Sequence, residues 1–413
     1  MREPVDITAE NTRLDSLAPR LLVGGAIGGI AFLVLAVFAA FATKAGAERF
    51  YLAYLINYMF FLSISLGGLF FVLVLHLTRA GWGVVVRRLS EAVAANVFLM
   101  LFLFIPILIG RGHLYLWLNA EYVAANQHDA LLVWKEPYLN IGFFIVRCII
   151  YFTVWIGLSL YLLWKSQEQD NSGDPKLTLR MERISAPGTL LFALTVTFAA
   201  FDLLMSRDYQ WFSTIFGVYF FAGCFVSFLS FLAVTICFVQ KSGRLVKVIS
   251  SEHYHDIGKL MFAFVVFWAY IAYSQFMIIW YGNIPEETGW YYRRGGDGGE
   301  WYTASMILLF GHFFIPFLFL IFRSVKRKLG TLVFAAVWML AIHWFDIFWL
   351  VMPEYTVKHA ELNGTVPLHF LDALVFLGMG GLFVAGTVQW LRNHALIPEK
   401  DPRLAESLAF ENA

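Results

Sequence analysis

Residues 51–78 read YLAYLINYMFFLSISLGGLFFVLVLHLT, a run that contains no Asp, Glu, Lys or Arg. A helix needs about 20 mostly apolar residues to cross roughly 30 Å of hydrocarbon, and this run exceeds that length. It does not alternate between apolar and polar positions. A barrel strand would do so over about ten residues, facing lipid and lumen in turn, so the run reads as a membrane-spanning helix.

Nine further segments follow the same pattern: Leu21 to Thr43, Ala92 to Gly110, Tyr138 to Trp164, Thr189 to Ser206, Trp211 to Val239, Ile257 to Tyr281, Trp301 to Phe322, Thr331 to Met352 and Leu368 to Leu391. The expected fold class is therefore all-α integral membrane, with ten transmembrane helices. The first run exceeds the apolar core of about 7 to 15 residues found in signal peptides and is expected to be retained. The chain divides into an N-terminal segment, residues 1–20, a transmembrane domain, 21–391, and a tail, 392–413.

Composition supports this reading. Of 413 residues, 60% are hydrophobic, 18% aromatic and 14% charged, where a soluble chain has about 25% charged. A net charge of +1 offers no field to gather nucleic acid. The three cysteines, Cys148, Cys224 and Cys237, lie singly in apolar runs. From this chain alone they build no disulfide, iron–sulfur cluster, zinc site or covalently held haem. The side holding both termini carries 20 Lys and Arg against 8 on the other, with Arg147 and Lys259 inside spans. Both termini are therefore expected in the cytoplasm.

The fifth span runs from Gly188-Thr189-Leu190 to Phe201-Asp202, and the ninth from Gly330-Thr331-Leu332 to Phe345-Asp346. Each places an aspartate at matching depth. Helices two to five and six to nine would then be repeats related by an axis along the membrane normal.

Ionisable groups at hydrocarbon depth cost at least about 2.5 kcal/mol each on insertion scales, so they face an interior, a cavity or one another. Here they are Arg147, Asp202, His312, His343, Asp346 and Asp372. His343 and Asp346, three apart, share a helix side, an arrangement that suits a carboxylate-held proton acceptor. Arg147 with Asp202 reads either as relay groups or as a structural ion pair. His312 reads also as a packing residue, and Asp372 with His369 as an interfacial, solvated pair. On the seventh span, Asp256, Lys259, Tyr270, Tyr273 and Ser274 share one face, interrupted by Ala263, Val266 and Phe267. Asp256 and Lys259 equally fit a helix start. His312, His343 and Trp344 form a candidate quinone pocket. His312 and His343 are expected at different depths, which argues against b-type haem. Gly295 to Gly299 reads as a flexible turn.

Residues 205–217 (MSRDYQWFSTIFG), 255–264 (HDIGKLMFAF) and 279–287 (IWYGNIPEE) resemble signatures of the polysulfide-reductase-C and NrfD-like membrane subunits. Residues 76–82 (HLTRAGW) and 401–412 (DPRLAESLAFEN) make the chain most similar to the second, smaller NrfD-like subunit of bacterial alternative complex III, a quinol:cytochrome c oxidoreductase. The resemblance implies two four-helix bundles, residues 51–206 and 211–352, flanked by helices one and ten. It implies a multi-pass subunit of the bacterial inner membrane that serves quinol oxidation, with no covalently bound cofactor and with quinone or lipid as candidate ligands. Implied partners are a larger sister membrane subunit, a periplasmic iron–sulfur subunit, cytochrome c subunits, small membrane subunits and a terminal oxidase, with haem c and iron–sulfur clusters carried by the partners.

The leading expectation is an anchor that supplies a transmembrane proton path, with Asp202, His343, Asp346, His312, Arg147, Asp256, Lys259, Tyr270 and Asp372 as candidate relays. The alternatives are a quinone-binding subunit with its own pocket, a passive scaffold, and a secondary transporter, which the pseudo-repeat favours and the lack of interrupted short spans opposes.

Overall fold

A computed structural model describes residues 7, 10–42, 46–296, 298–359 and 365–412. Ten helices among these residues are long and apolar enough to cross a membrane: α1 (Leu17–Ala42), α2 (Gly46–Leu77), α3 (Gly81–Ile109), α4 (Ile141–Ser172), α5 (Pro175–Arg207), α6 (Phe216–Lys241), α7 (Ser251–Gly282), α8 (Glu300–Leu320), α9 (Leu329–Lys358) and α10 (Phe370–Leu391). The end of the first expected span, Thr43, and Asp297 in the glycine-rich turn lie outside the described residues. The protein is an all-helical, multi-pass membrane protein.

Several helices run further than the apolar segments suggest. α3 begins at Gly81 and α5 at Pro175, so each carries charged turns ahead of its hydrocarbon span. Those of α3 stay helical because their charges are paired. Arg87 donates to Glu91 at 3.1 Å and to Asp401 of the tail at 2.7 Å, while Arg88 reaches Glu91 at 3.0 Å and Asp170 at 2.8 Å. A buried charge holds its place only with such partners.

Helices α2 to α5 pack on one another, as do α6 to α9, and α2 against α6 joins the two sets. This contact sits at the centre and is close: a Cβ on Gly67 of α2 would fall 2.1 Å from the Cys224 carbonyl oxygen of α6. α1 lies outside and packs chiefly on α10. There Gly25 and Gly29 meet Gly381 and Gly378, and small residues let two backbones touch where lipid gives no hydrophobic drive.

Both termini lie on one face. The Leu396 amide donates to Thr12 O at 2.7 Å, and Arg244 after α6 donates to Arg13 O at 2.7 Å and Leu14 O at 2.9 Å. The tail continues along the same face, where Lys259 donates to Asn412 Oδ1 at 2.7 Å.

Candidate functional site

His312, His343 and Asp346 come together in the interior, each at most 2% exposed. One donor atom from each lies within 4.8 Å of the other two, which makes them the one group of His, Cys, Asp and Glu among the described residues close enough to share an ion. The expected difference in depth between the two histidines is therefore corrected. Residues 310–314 of α8 form a π-helical turn, which adds a residue to the turn and carries His312 inward. Trp338 of α9 donates to Gly311 O in that turn at 2.8 Å. A Cβ on Gly311 would sit 2.7 Å from Cδ1 of Ile342, so a larger residue there would have to displace that side chain.

Three neighbours orient the cluster. Tyr219 of α6 and Trp268 of α7 both donate to Asp346, the indole at 3.2 Å. Trp268 also stacks on His312, with centroids 3.7 Å apart and planes 20° apart. Ser63 Oγ of α2 lies 2.7 Å from Phe60 O and 2.9 Å from Nε2 of His343, a hydrogen bond that holds the ring. Neither Nδ1 of His343 nor either ring nitrogen of His312 has a protein partner among the described residues. Nothing in the sequence marks Tyr219, Trp268 or Ser63, since the spans hold many aromatic residues and serines. Only the packing of four helices selects these.

Asp202, the other aspartate near the end of a span, has a different setting. Arg147 of α4 holds Asp202 of α5 with Nε at 2.8 Å and Nη2 at 3.0 Å, Tyr151 donates to it at 2.6 Å, and Tyr138 lies under the guanidinium. The carboxylate is fully taken up. Asp372 is not solvated as expected: it is buried and ion-paired with Arg49 of α2, and it caps the start of α10 through the His369 amide. The pairing needs two helices 323 residues apart in sequence, which no local reading reveals.

Asp256 and Lys259 pair with each other, as a helix start favours, at the mouth of a cavity of about 420 Å³ on the termini face. Phe225 and Phe264 line that cavity edge to face, 4.4 Å apart, and Ser227, two residues along α6 from Phe225, lies 3.3 Å from Ser63. Tyr270 is 65% exposed and lines a cavity between α7 and α8.

His312 and His343 are sealed, and Trp344 turns to Asn57, donating at 2.9 Å. A cavity of about 680 Å³ opens between α7 and α8. Tyr219 and Trp268, the two donors to Asp346, line it together with Gln275, Tyr291, Arg294 and Ser305.

On the face opposite the termini, Tyr209 donates to Asp129 at 2.6 Å, which holds that carboxyl below its ordinary range. Burial pushes Asp208 up more than Arg293 beside it pulls it down. Burial also lowers Arg294 to about 10, so it stays charged at neutral pH. No protein-family model matches the chain, and no curated protein matches it.

Proposed function

We propose that the chain is a membrane subunit of a respiratory quinol:electron-acceptor oxidoreductase of the alternative complex III kind. It anchors partner subunits in a bacterial cytoplasmic membrane, with both termini inside, and conducts protons through α6 to α9. Electrons pass through partners that carry the haem and iron–sulfur centres.

The observation that carries this reading is the contrast between the two aspartates. Asp202 is neutralised by a bidentate arginine, whereas Asp346 has no cation among the described residues and sits beside two imidazoles with unpartnered nitrogens. Polar groups so deeply buried are normally hydrogen-bonded, so water is the expected partner. A carboxylate, two imidazoles and a carboxylate-bound tyrosine can pass a proton along such a chain. On the termini side the cavity at Asp256 and Lys259 supplies an entrance, and the rings of Phe225 and Phe264 form the dry step that hydration has to open.

The test is Asp346→Asn in the intact complex, with proton release and uptake followed during quinol turnover. The reading expects electron transfer to persist while the proton count per quinol or the turnover rate falls. Unchanged stoichiometry and unchanged rate would remove the relay role and leave an anchor.

One observation favours a second reading, a quinone site in this chain. The cavity between α7 and α8 falls within the roughly 300–1,000 Å³ of ligand pockets, has aromatic walls, and backs one hydroxyl, Tyr219, with Asp346. Ala272→Trp would fill it. Loss of photo-crosslinking to a quinone probe in that variant supports the second reading, and crosslinks only to lipid-facing positions elsewhere would dismiss it.

A further inference from the structure

Among the described residues seven arginines are buried: Arg49, Arg87, Arg88, Arg147, Arg207, Arg244 and Arg294. Five of these hold a carboxylate: Arg49, Arg87, Arg88, Arg147 and Arg294. Arg244 satisfies Nε, Nη1 and Nη2 with three carbonyl oxygens. Arg207 does neither. Its Nη1 donates to Leu114 O at 3.1 Å and its Nη2 to Val351 O at 3.0 Å, while its buried Nε has no partner and no carboxylate lies within salt-bridge distance among the described residues. A buried cation without a counter-charge is costly, and the carbonyls at two helix ends offset only part of that cost.

Arg207 lines a cavity of about 330 Å³ on the face opposite the termini. The acids around the cavity are already engaged. Glu48 holds Lys358 at 2.8 Å, Asp208 holds Arg293, and Glu354 holds Arg294 at 3.3 Å. The lining therefore balances Arg207, Arg293 and Lys358 against Glu48, Asp208 and Glu354, and Arg294 packed against Glu354 leaves one positive charge in excess. Arginine offers five N–H donors in a planar fork, and two are taken by Leu114 and Val351. The N–H groups left free in this planar fork match the two oxygens of a carboxylate or phosphate better than a spherical ion.

We infer that this cavity binds one small oxyanion, a carboxylate or a phosphate, on the N–H groups of Arg207 that Leu114 and Val351 leave free. The anion comes either free from the aqueous phase or on a lipid headgroup. The site is independent of the proton path.

The test uses the full chain in nanodiscs. In phosphatidylcholine discs, acetate or inorganic phosphate at constant ionic strength against chloride should raise the thermal midpoint saturably by a few degrees, as binding to the folded state alone requires. Phosphatidylglycerol discs form the second arm. A rise there that free anions do not extend identifies a lipid headgroup as the source, and a rise with free anions alone identifies the aqueous phase. Arg207→Gln should abolish either response. If that variant does not fold, Gly112→Glu serves instead. Gly112 lies on the cavity wall with room for a side chain, its Cβ position 3.6 Å from Leu118 O, and a tethered carboxylate should replace the added anion. No saturable response of the wild type in either arm overturns the inference, as does an equal response in Arg207→Gln or Gly112→Glu.

Discussion

Arg147 grips both carboxylate oxygens of Asp202, at 2.8 and 3.0 Å, from the neighbouring helix α4. Asp346 instead faces an imidazole, His312, from α8. The first buried acid has a permanent cation beside it and the second a group that can give up its proton. The structural and functional expectations for the two aspartates part at that difference.

Replacing His312 with arginine should give Asp346 the setting of Asp202. A guanidinium cannot be deprotonated at working pH, so it would fix Asp346 as a carboxylate. We predict an assembled complex with proton uptake strongly reduced, read by a pH-sensitive dye during turnover. Normal uptake in a folded His312→Arg complex would count against a relay at this position.

Breaking the sealed pair should cost stability and spare mechanism. Arg147→Leu or Asp202→Asn alone leaves a buried charge uncompensated, at a cost of about 3–5 kcal/mol, whereas the double variant should recover much of it. Unfolding of the chain in detergent, as a double-mutant cycle, measures this. Near-neutral single variants would show that water reaches the pair.

His343 depends on a glycine. A Cβ on Gly223 would lie 2.7 Å from its Cε1, so Gly223→Ala should push the ring away from Ser63 and lower proton transfer without removing a titratable group. Gly28 on α1 has open space around it, and Gly28→Ala should leave both stability and turnover unchanged. Equal behaviour of the two variants would mean that the position of His343 is unimportant.

The clasp between Tyr209 and Asp129 should depend on pH. Because the folded carboxyl titrates below its ordinary value of about 3.9, its contribution is present above that value and is lost as pH falls through the lower folded one. Hydrogen exchange across residues 120–135 should therefore accelerate below about pH 4 in the wild type. Tyr209→Phe should exchange fast at pH 6 already. A profile flat down to pH 3 in the wild type would refute the clasp.

Residues 51–78 and the nine runs like them determined the number of spans, because burying a backbone in hydrocarbon is decided locally, by length and by the absence of charge. The same cost made the ionisable inventory legible: Arg147, Asp202, His312, His343, Asp346 and Asp372 are all buried. Their partners were another matter. That Arg49 would meet Asp372, that Ser63 of α2 would orient His343 of α9, and that a π turn would bring His312 to Asp346 depend on how each helix rotates about its axis and which neighbour it faces. Apolar stripes that run all round a membrane helix do not encode that rotation, because lipid and protein interior are equally oily to a leucine. Close approach at Gly67, Gly223 and Gly311 and the pairing of buried charges fix it, and both exist only once the chain is packed.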